Sequence, residues 1–232
     1  MFDEYKFKTE LHTHTSPASS CSEILPHQLA EMYKAHGYDS VAVTNHFTFS
    51  GLFGEDGDSY LNRFLEDYYS CCECGKKAGI NIIFGAELRF SENKNEYLVY
   101  GICPEDMKDI RELLPYGIDN FYKEYKNEHN IILQAHPFRN DMQPVSPESL
   151  DGIEVFNMHP KHNSRVCFAA NYARENNLIA TCGTDFHHPG HECLSAVFTK
   201  EKITDSYQLA KFLKSQDFIM EICGYKLLSD IK

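Results

Sequence analysis

No stretch of this chain approaches the ~20 consecutive apolar residues needed to cross a bilayer, and its opening residues, MFDEYKFKTE, contain no apolar signal core. The expectation is a soluble, unexported, cytoplasmic protein. Positive charge is scarce: 22 Lys and Arg stand against 34 Asp and Glu, a formal net charge of −12, which disfavours a broad nucleic-acid-binding face. An anionic substrate would therefore need local positive charge, which bound divalent cations supply. Repeats, low-complexity tracts and linkers are absent, so residues 1–232 are read as one domain. Nine cysteines without a secretory context predict free thiols rather than a disulfide framework. Cys71, Cys72 and Cys74 contain a CxxC, but no second pair at zinc-ribbon spacing follows, and small buried thiols on a helix are the better reading. No serine or cysteine stands in a recognisable nucleophilic triad.

What the chain does contain is an alternation of short β-type runs with helical patterns, the signature of an α/β protein with βα units. The strand candidates are KFKTEL, SVAVTN, NIIFGA, EYLVYGI, NIILQA, GIEVFN and LIATCGT, and a late FIMEIC run closes or edges the sheet. Helical spacing covers 26–36, where Leu29, Met32 and Tyr33 share a face, Pro26 suits the first turn and Gly37 the stop. Further helices are predicted over 60–77, 106–114, 118–128, 164–176 and 206–214. Glu55-Asp56-Gly57-Asp58 fails calcium-loop spacing and reads as a helix cap.

Seven side chains with metal-binding chemistry fall at or just past predicted strand ends: His12, His14, His46, Glu87, His136, Asp185 and His187. Residues so placed converge on one rim of a barrel, and a barrel of about seven strands fits this pattern better than an open sheet. His12 and His14 face alike if the strand continues, because side-chain direction repeats every two residues. Asp185 and His187 repeat that geometry, although a Gly-Thr-Asp turn also suits a helix cap. His46 and His136 each end a strand, where a lone histidine is ordinarily structural. Glu87 follows the apolar run NIIFGA, and a deprotonated Glu there can bridge two cations as imidazoles cannot. The plainer alternative is a strand-terminal surface glutamate.

The ordered set LHTHT, TNH, GAE, AHP and GTDFH resembles the PHP (polymerase and histidinol phosphatase) family of metal-dependent phosphoesterases, over nearly the whole chain. That resemblance implies a distorted seven-stranded TIM-like (β/α)7 barrel holding two or three divalent ions, zinc, manganese or iron. By position, His12, His14, Glu87 and Asp185 match the ligands of a first metal, Glu87 bridges to a second held by His136, and His46 and His187 match two ligands of a third. Two departures stand out. A histidine found shortly after the first pair in the fullest pattern is missing from Ser16 to Cys21, where Cys21 is the one soft ligand. The strand NEYLVYGI lacks another histidine and offers Glu96 or Tyr97 instead.

Arg139, in the loop after His136, and Arg165, at the start of a predicted helix, are candidates for binding phosphate oxygens, each with a surface salt bridge as its alternative. His159, His162, His188 and His191 lie near the same rim. The loop from Phe47 to Gly54 is either a movable cover or an aromatic pad on the barrel shoulder. The expected reaction is hydrolysis of a small phosphomonoester by a metal-activated hydroxide, with Glu87 and Asp185 at its centre and Asp185 or a histidine passing a proton to the leaving oxygen. Histidinol phosphate is one candidate substrate, since the chain resembles the family's small stand-alone members. The alternatives are phosphodiester cleavage at a nucleotide or nucleic-acid end, and a metal-binding module without turnover.

Overall fold

The computed structural model describes residues 2–54 and 56–229. Its strands are β1 (Phe7–Thr13), β2 (Ser40–Val43), β3 (His46–Thr48), β4 (Asn81–Phe84), β5 (Ala86–Arg89), β6 (Tyr97–Tyr100), β7 (Ile131–Gln134), β8 (Gly152–Asn157), β9 (Ile179–Gly183), β10 (Ser195–Thr199), β11 (Ile219–Ile222) and β12 (Tyr225–Leu228). The helices are α1 (Pro26–Ala35), α2 (Gly51–Gly54), α3 (Gly57–Ala78), α4 (Met107–Leu113), α5 (Gly117–Tyr125), α6 (Val166–Glu175) and α7 (Ser206–Ser215). All seven anticipated strands, the late FIMEIC run as β11, and all six anticipated helices are present, with ends displaced by a few residues. β3, β5, β10 and β12 were not anticipated. Among the described residues no helix is long and apolar enough to cross a membrane.

The strands form an α/β fold with two mixed sheets, ordered β12-β11-β10-β1-β2-β4 and β3-β5-β6-β7-β8-β9. The division arises where two chain segments bend: Thr44-Asn45 separates β2 from β3, and Gly85 separates β4 from β5. Hydrogen bonds carry the pairing across those bends, from the Gly85 N–H to the Val43 carbonyl (3.1 Å) and from the Glu87 N–H to the Asn45 carbonyl (3.1 Å). On the far side the first sheet touches the end of the second through one parallel bridge, Thr13 to Phe186. There the His14 N–H donates to the Phe186 carbonyl (3.0 Å) and the Phe186 N–H to the His12 carbonyl (3.2 Å). A closed barrel of parallel strands is thus not what the pairing draws: β6 arrives by a hairpin-like return and runs antiparallel to both β5 and β7.

Helix packing follows the sequence pattern. α1 buries Leu29 and Tyr33 completely, worth about 1.5–3 kcal/mol for each such side chain, and ends where Gly37 takes φ +76°. Asp56 caps α3 by accepting from the Ser59 N–H (3.1 Å); Glu55, its neighbour in the predicted cap, lies outside the described residues. Gly75 lets α3 press on β4, since a Cβ there would sit 2.5 Å from Ile82 Cγ1 and 2.9 Å from the Ile80 carbonyl oxygen. Cys71 is buried on this helix, and all nine cysteines are free thiols.

Candidate metal centre

The seven predicted side chains meet in one place. His12 lies within β1 and His14 just beyond it, while His46 and Glu87 are cross-strand partners in the β3–β5 pair, which puts them on the same face. His136 follows β7 by two residues and Asp185 follows β9 by two. Both take left-handed backbone conformations, φ +31° for His136 and +53° for Asp185. Such conformations cost on the order of 1–3 kcal/mol each and persist where the surroundings hold them.

Four imidazoles share one design. Nδ1 is occupied by an outer partner, and in His12, His14 and His136 Nε2 is aimed into the centre. His12 Nδ1 pairs with Glu154 Oε1 (2.9 Å), His14 Nδ1 with Ser19 Oγ (3.2 Å), His136 Nδ1 with Met142 Sδ (3.2 Å), and His187 Nδ1 donates to the Asp185 carbonyl (2.9 Å). An outer partner of this kind sets the tautomer that leaves an inward lone pair. His12 Nε2, His14 Nε2, His46 Nδ1 and Glu87 Oε2 are buried without any hydrogen-bond partner, although each lies close to other donors of the cluster.

Those spacings identify what would fit. Two donors each about 2.1 Å from one tetrahedral ion stand roughly 3.4 Å apart. His12 Nε2 is 3.3 Å from Glu87 Oε1 and 3.6 Å from Asp185 Oδ1, and His14 Nε2 is 3.4 Å from Glu87 Oε2 and 3.5 Å from Asp185 Oδ1. Toward one end, His136 Nε2 lies 3.1 Å from Glu87 Oε1 and 3.5 Å from Glu96 Oε2, and His46 Nδ1 lies 3.4 Å from Glu96 Oε1. Among the described residues, four three-residue sets have donor atoms close enough to hold an ion: His12, His14 and Glu87; His12, His136 and Asp185; His46, Glu87 and Glu96; and His14, His46 and His187. The buried, unpartnered donors and their mixed oxygen and nitrogen chemistry fit divalent cations.

Electrostatics point the same way. Burial alone pushes the Glu87 carboxyl up, but the His12 and His46 imidazoles beside it hold it well below the usual range. Asp185 behaves alike, raised by burial and lowered further by the His12 and His14 imidazoles beside it. Burial lowers His12, yet Glu154, Glu87 and Asp185 drive it well above the ordinary value, whereas burial together with His187 and His46 keeps His14 well below. Without cations, a pocket this rich in buried carboxylates must borrow protons on its own imidazoles to balance charge.

The centre opens into a cavity of about 750 Å³ whose lining includes Arg63, Arg89, Arg139, Lys161, His162 and Asp185. Arg139 lies there with its guanidinium 3.9 Å from Asp185 Oδ2. Arg165 does not line it. Its fork instead donates to the Phe138 carbonyl (2.5 Å) and to Asn140 Oδ1 (2.7 Å), fastening the loop that carries Arg139. Of the rim histidines, His159, His162 and His188 face the cavity. In the loop after His46, Phe47 is fully buried and stacked on Tyr60 (5.0 Å, 13° between rings), which is the aromatic pad, while Thr48, Ser50 and Gly51 edge the cavity.

Of Glu96 and Tyr97, only Glu96 reaches the cluster; Tyr97 packs into the core on the other face of β6. Sequence reasoning missed Glu154, which accepts from His12 Nδ1, from the His136 N–H (3.0 Å) and from Asn157 Nδ2 (2.9 Å). It also missed a buried chain behind His14. Asp67 Oδ2 accepts from Asn45 Nδ2 (2.8 Å), Asn45 Oδ1 accepts from Ser19 Oγ (2.8 Å), and Ser19 Oγ faces His14 Nδ1. The only signal for Glu154 was an acidic residue inside the apolar run GIEVFN.

Comparison with known proteins follows this geometry. The PHP domain family model matches residues 10–223. A two-domain protein from Bacteroides vulgatus ATCC 8482, containing a predicted PHP-like metal-dependent phosphoesterase, superposes with a TM-score of 0.65 at 19% identity, covering 95% of this chain and 66% of that one. The chain therefore spans about two-thirds of that relative's length. PsfC from Pseudomonas syringae PB-5123 gives 0.64 at 15% identity, over 93% of this chain and 91% of its own. An amidohydrolase from Chromobacterium violaceum, solved with bound sulfate and no metal, gives 0.51 at 16% identity, over 79% and 89%. No curated protein matches. With its family model spanning β1 to β11 and its buried His, Glu and Asp side chains gathered at one end of the strands, the chain belongs to the PHP family of metal-dependent phosphoesterases.

Proposed function

We propose that this protein hydrolyses a small phosphomonoester at a centre of two or three divalent ions, zinc, manganese or iron. The observation that carries the reading is the pair of buried, unpartnered nitrogens, His12 Nε2 and His14 Nε2, set within 3.3–3.6 Å of Glu87 and Asp185 oxygens. His12, His14, Glu87 and Asp185 would hold the first ion, Glu87, Glu96 and His136 the second, and His46 and His187 the third. Bound ions supply a Lewis-acid field that offsets phosphoryl charge and lowers the pKa of water toward ~7.

The chain's own residues do the rest. Arg139, with Arg89 and Lys161 on the same lining, binds phosphate oxygens, and its planar fork suits two of them at once. Asp185, kept ionised by the imidazoles around it, orients the attacking water and accepts its proton. His162 Nδ1, 3.7 Å from Asp185 Oδ2 and on the cavity wall, is placed to protonate the leaving oxygen. A cavity of about 750 Å³ takes a metabolite-sized ligand, and the chain's net charge of −12 favours a small substrate over a polymer.

A phosphoester panel with metal analysis on the same preparations tests this. Monoester turnover is expected, and Asp185→Ala abolishes it. Preference for diesters would overturn the substrate assignment, and tight metal binding with no turnover on any ester would overturn catalysis.

A further inference from the structure

Glu10 is fully buried in β1, two residues before His12, and takes no part in the chemistry proposed above. Its hydrogen-bond partners among the described residues are all neutral donors. Oε1 accepts from the backbone N–H groups of Leu11 (3.0 Å), His12 (3.0 Å) and Thr184 (2.9 Å), with the Ser195 hydroxyl more distant at 3.5 Å. Oε2 accepts from the hydroxyl of Thr184 and from that of Tyr33 at 3.4 Å.

The sheet explains why a carboxylate stands there. Pairing of β1 with β10 stops at Thr9, and its register with β2 shifts between Glu10 and Thr13. The Leu11 and His12 N–H groups at this irregularity are caught by the Glu10 side chain, since a buried N–H needs a partner. Across the seam between the two sheets, Thr184 immediately precedes Asp185, whose backbone is held at φ +53°. One oxygen of Glu10 thus joins the strand that carries His12 to the turn that carries Asp185. The neighbouring Thr13 to Phe186 bridge closes the same seam one step further along.

We propose that Glu10 is a positioning residue for the metal centre: by tying the His12 and Thr184 N–H groups to one carboxylate oxygen, it sets the reach between His12 Nε2 and Asp185 Oδ1, 3.6 Å apart, and so the affinity of the ion those two donors share. The set of His46, Glu87 and Glu96 stands on β3, β5 and the residue before β6, all within the second sheet, and lies outside this tie. Loss of Glu10 therefore acts on one ion rather than on the whole cluster. This role rests on the metal centre proposed above and adds what holds two of its donors in register.

Zinc is the probe, titrated calorimetrically into the metal-stripped full chain, with bound metal counted by elemental analysis and folding checked by circular dichroism. Glu10→Leu removes the acceptor and should weaken one bound equivalent by about 10–100-fold, while the others titrate as in wild type. Glu10→Gln should recover most of that loss. Its amide oxygen can take the three N–H groups while its NH2 meets the Thr184 and Tyr33 hydroxyls, which can turn to accept, and Thr184 then has Ser195 Oγ at 3.2 Å to receive its own proton. Equal losses in Glu10→Gln and Glu10→Leu would assign the effect to charge and overturn the positioning role. A folded Glu10→Leu with wild-type affinity, or with every equivalent weakened alike, would overturn it too. If Glu10→Leu does not fold, Thr184→Val decides: weakening confined to one equivalent supports the tie, and any other pattern overturns it. Wild type that binds no zinc would instead overturn the metal centre on which the role rests.

Discussion

Replacing Glu154 with Gln tests how the centre is kept in register. Three N–H groups converge on the two Glu154 oxygens: His12 Nδ1–H at 2.9 Å, the His136 backbone N–H at 3.0 Å and Asn157 Nδ2–H at 2.9 Å. Gln keeps the shape but offers one oxygen and one NH2. If its oxygen stays on His136 and Asn157, its NH2 faces His12 Nδ1, which must then become an acceptor. That moves the proton of His12 to Nε2, where a metal lone pair is required. If the amide turns the other way, its NH2 opposes two donors in a site only 1% exposed, at a cost of about 1–3 kcal/mol for each group left unmatched. Either outcome weakens metal affinity by about 10–100-fold. Isothermal titration with zinc or manganese into metal-free protein reads the change, alongside a thermal melt. Unchanged affinity in a folded Glu154→Gln protein would refute the claim that Glu154 sets the His12 tautomer.

Other expectations come from neighbouring geometry. Asp67→Asn removes the charge that points Asn45 Nδ2 outward and so leaves Ser19 free to receive from His14; metal affinity should fall about 10-fold, and titration beside Asp67→Ala shows whether the loss tracks the hydrogen-bond direction. Arg139→Ala should lower kcat/KM by about 10–100-fold, the worth of a charge-assisted hydrogen bond of roughly 1.5–3 kcal/mol, whereas Arg165→Ala, which removes only a loop fastening, should cost less than about 10-fold; steady-state kinetics separate the two. Gly183→Ala places a Cβ 2.2 Å from Glu154 Oε1 and 2.5 Å from His12 Cβ, so the melting temperature should drop by the equivalent of about 1–3 kcal/mol, and an unshifted melt would count against the close packing behind His12.

Much of this centre was legible in the sequence because its residues sit where strands end, and strand ends are visible as apolar runs that stop. HTH and DFH, GAE and AHP each announced a donor directly after such a run. Glu96 was half legible: which of Glu96 and Tyr97 faces the cluster depends on the β5–β6 register, in which Leu88 pairs with Tyr97, and no local pattern states that register. Glu154 was not legible, since its three partners come from β1, the loop after β7 and the end of β8 itself. The Asp67 chain was hidden for the same reason, with α3 contributing one carboxylate to a network seeded around β1. Arg165 read as a phosphate ligand at a helix start, but its own φ of +46° belongs to a turn that sends the guanidinium across to Phe138 and Asn140. The fold was read more coarsely than the site. Bends at Thr44-Asn45 and Gly85 divide the strands between two sheets, and β12, exposed along its whole length, carries no apolar alternation to betray it.

Metal removal and return is the most direct measurement of whether these imidazoles and carboxylates hold ions that act on a phosphoester. Chelated protein, verified metal-free by elemental analysis and folded by circular dichroism, should lose phosphomonoester hydrolysis and regain it on addition of zinc, manganese or iron(II), with His12→Ala and Asp185→Ala failing to recover. Undiminished hydrolysis by the verified metal-free protein would contradict it.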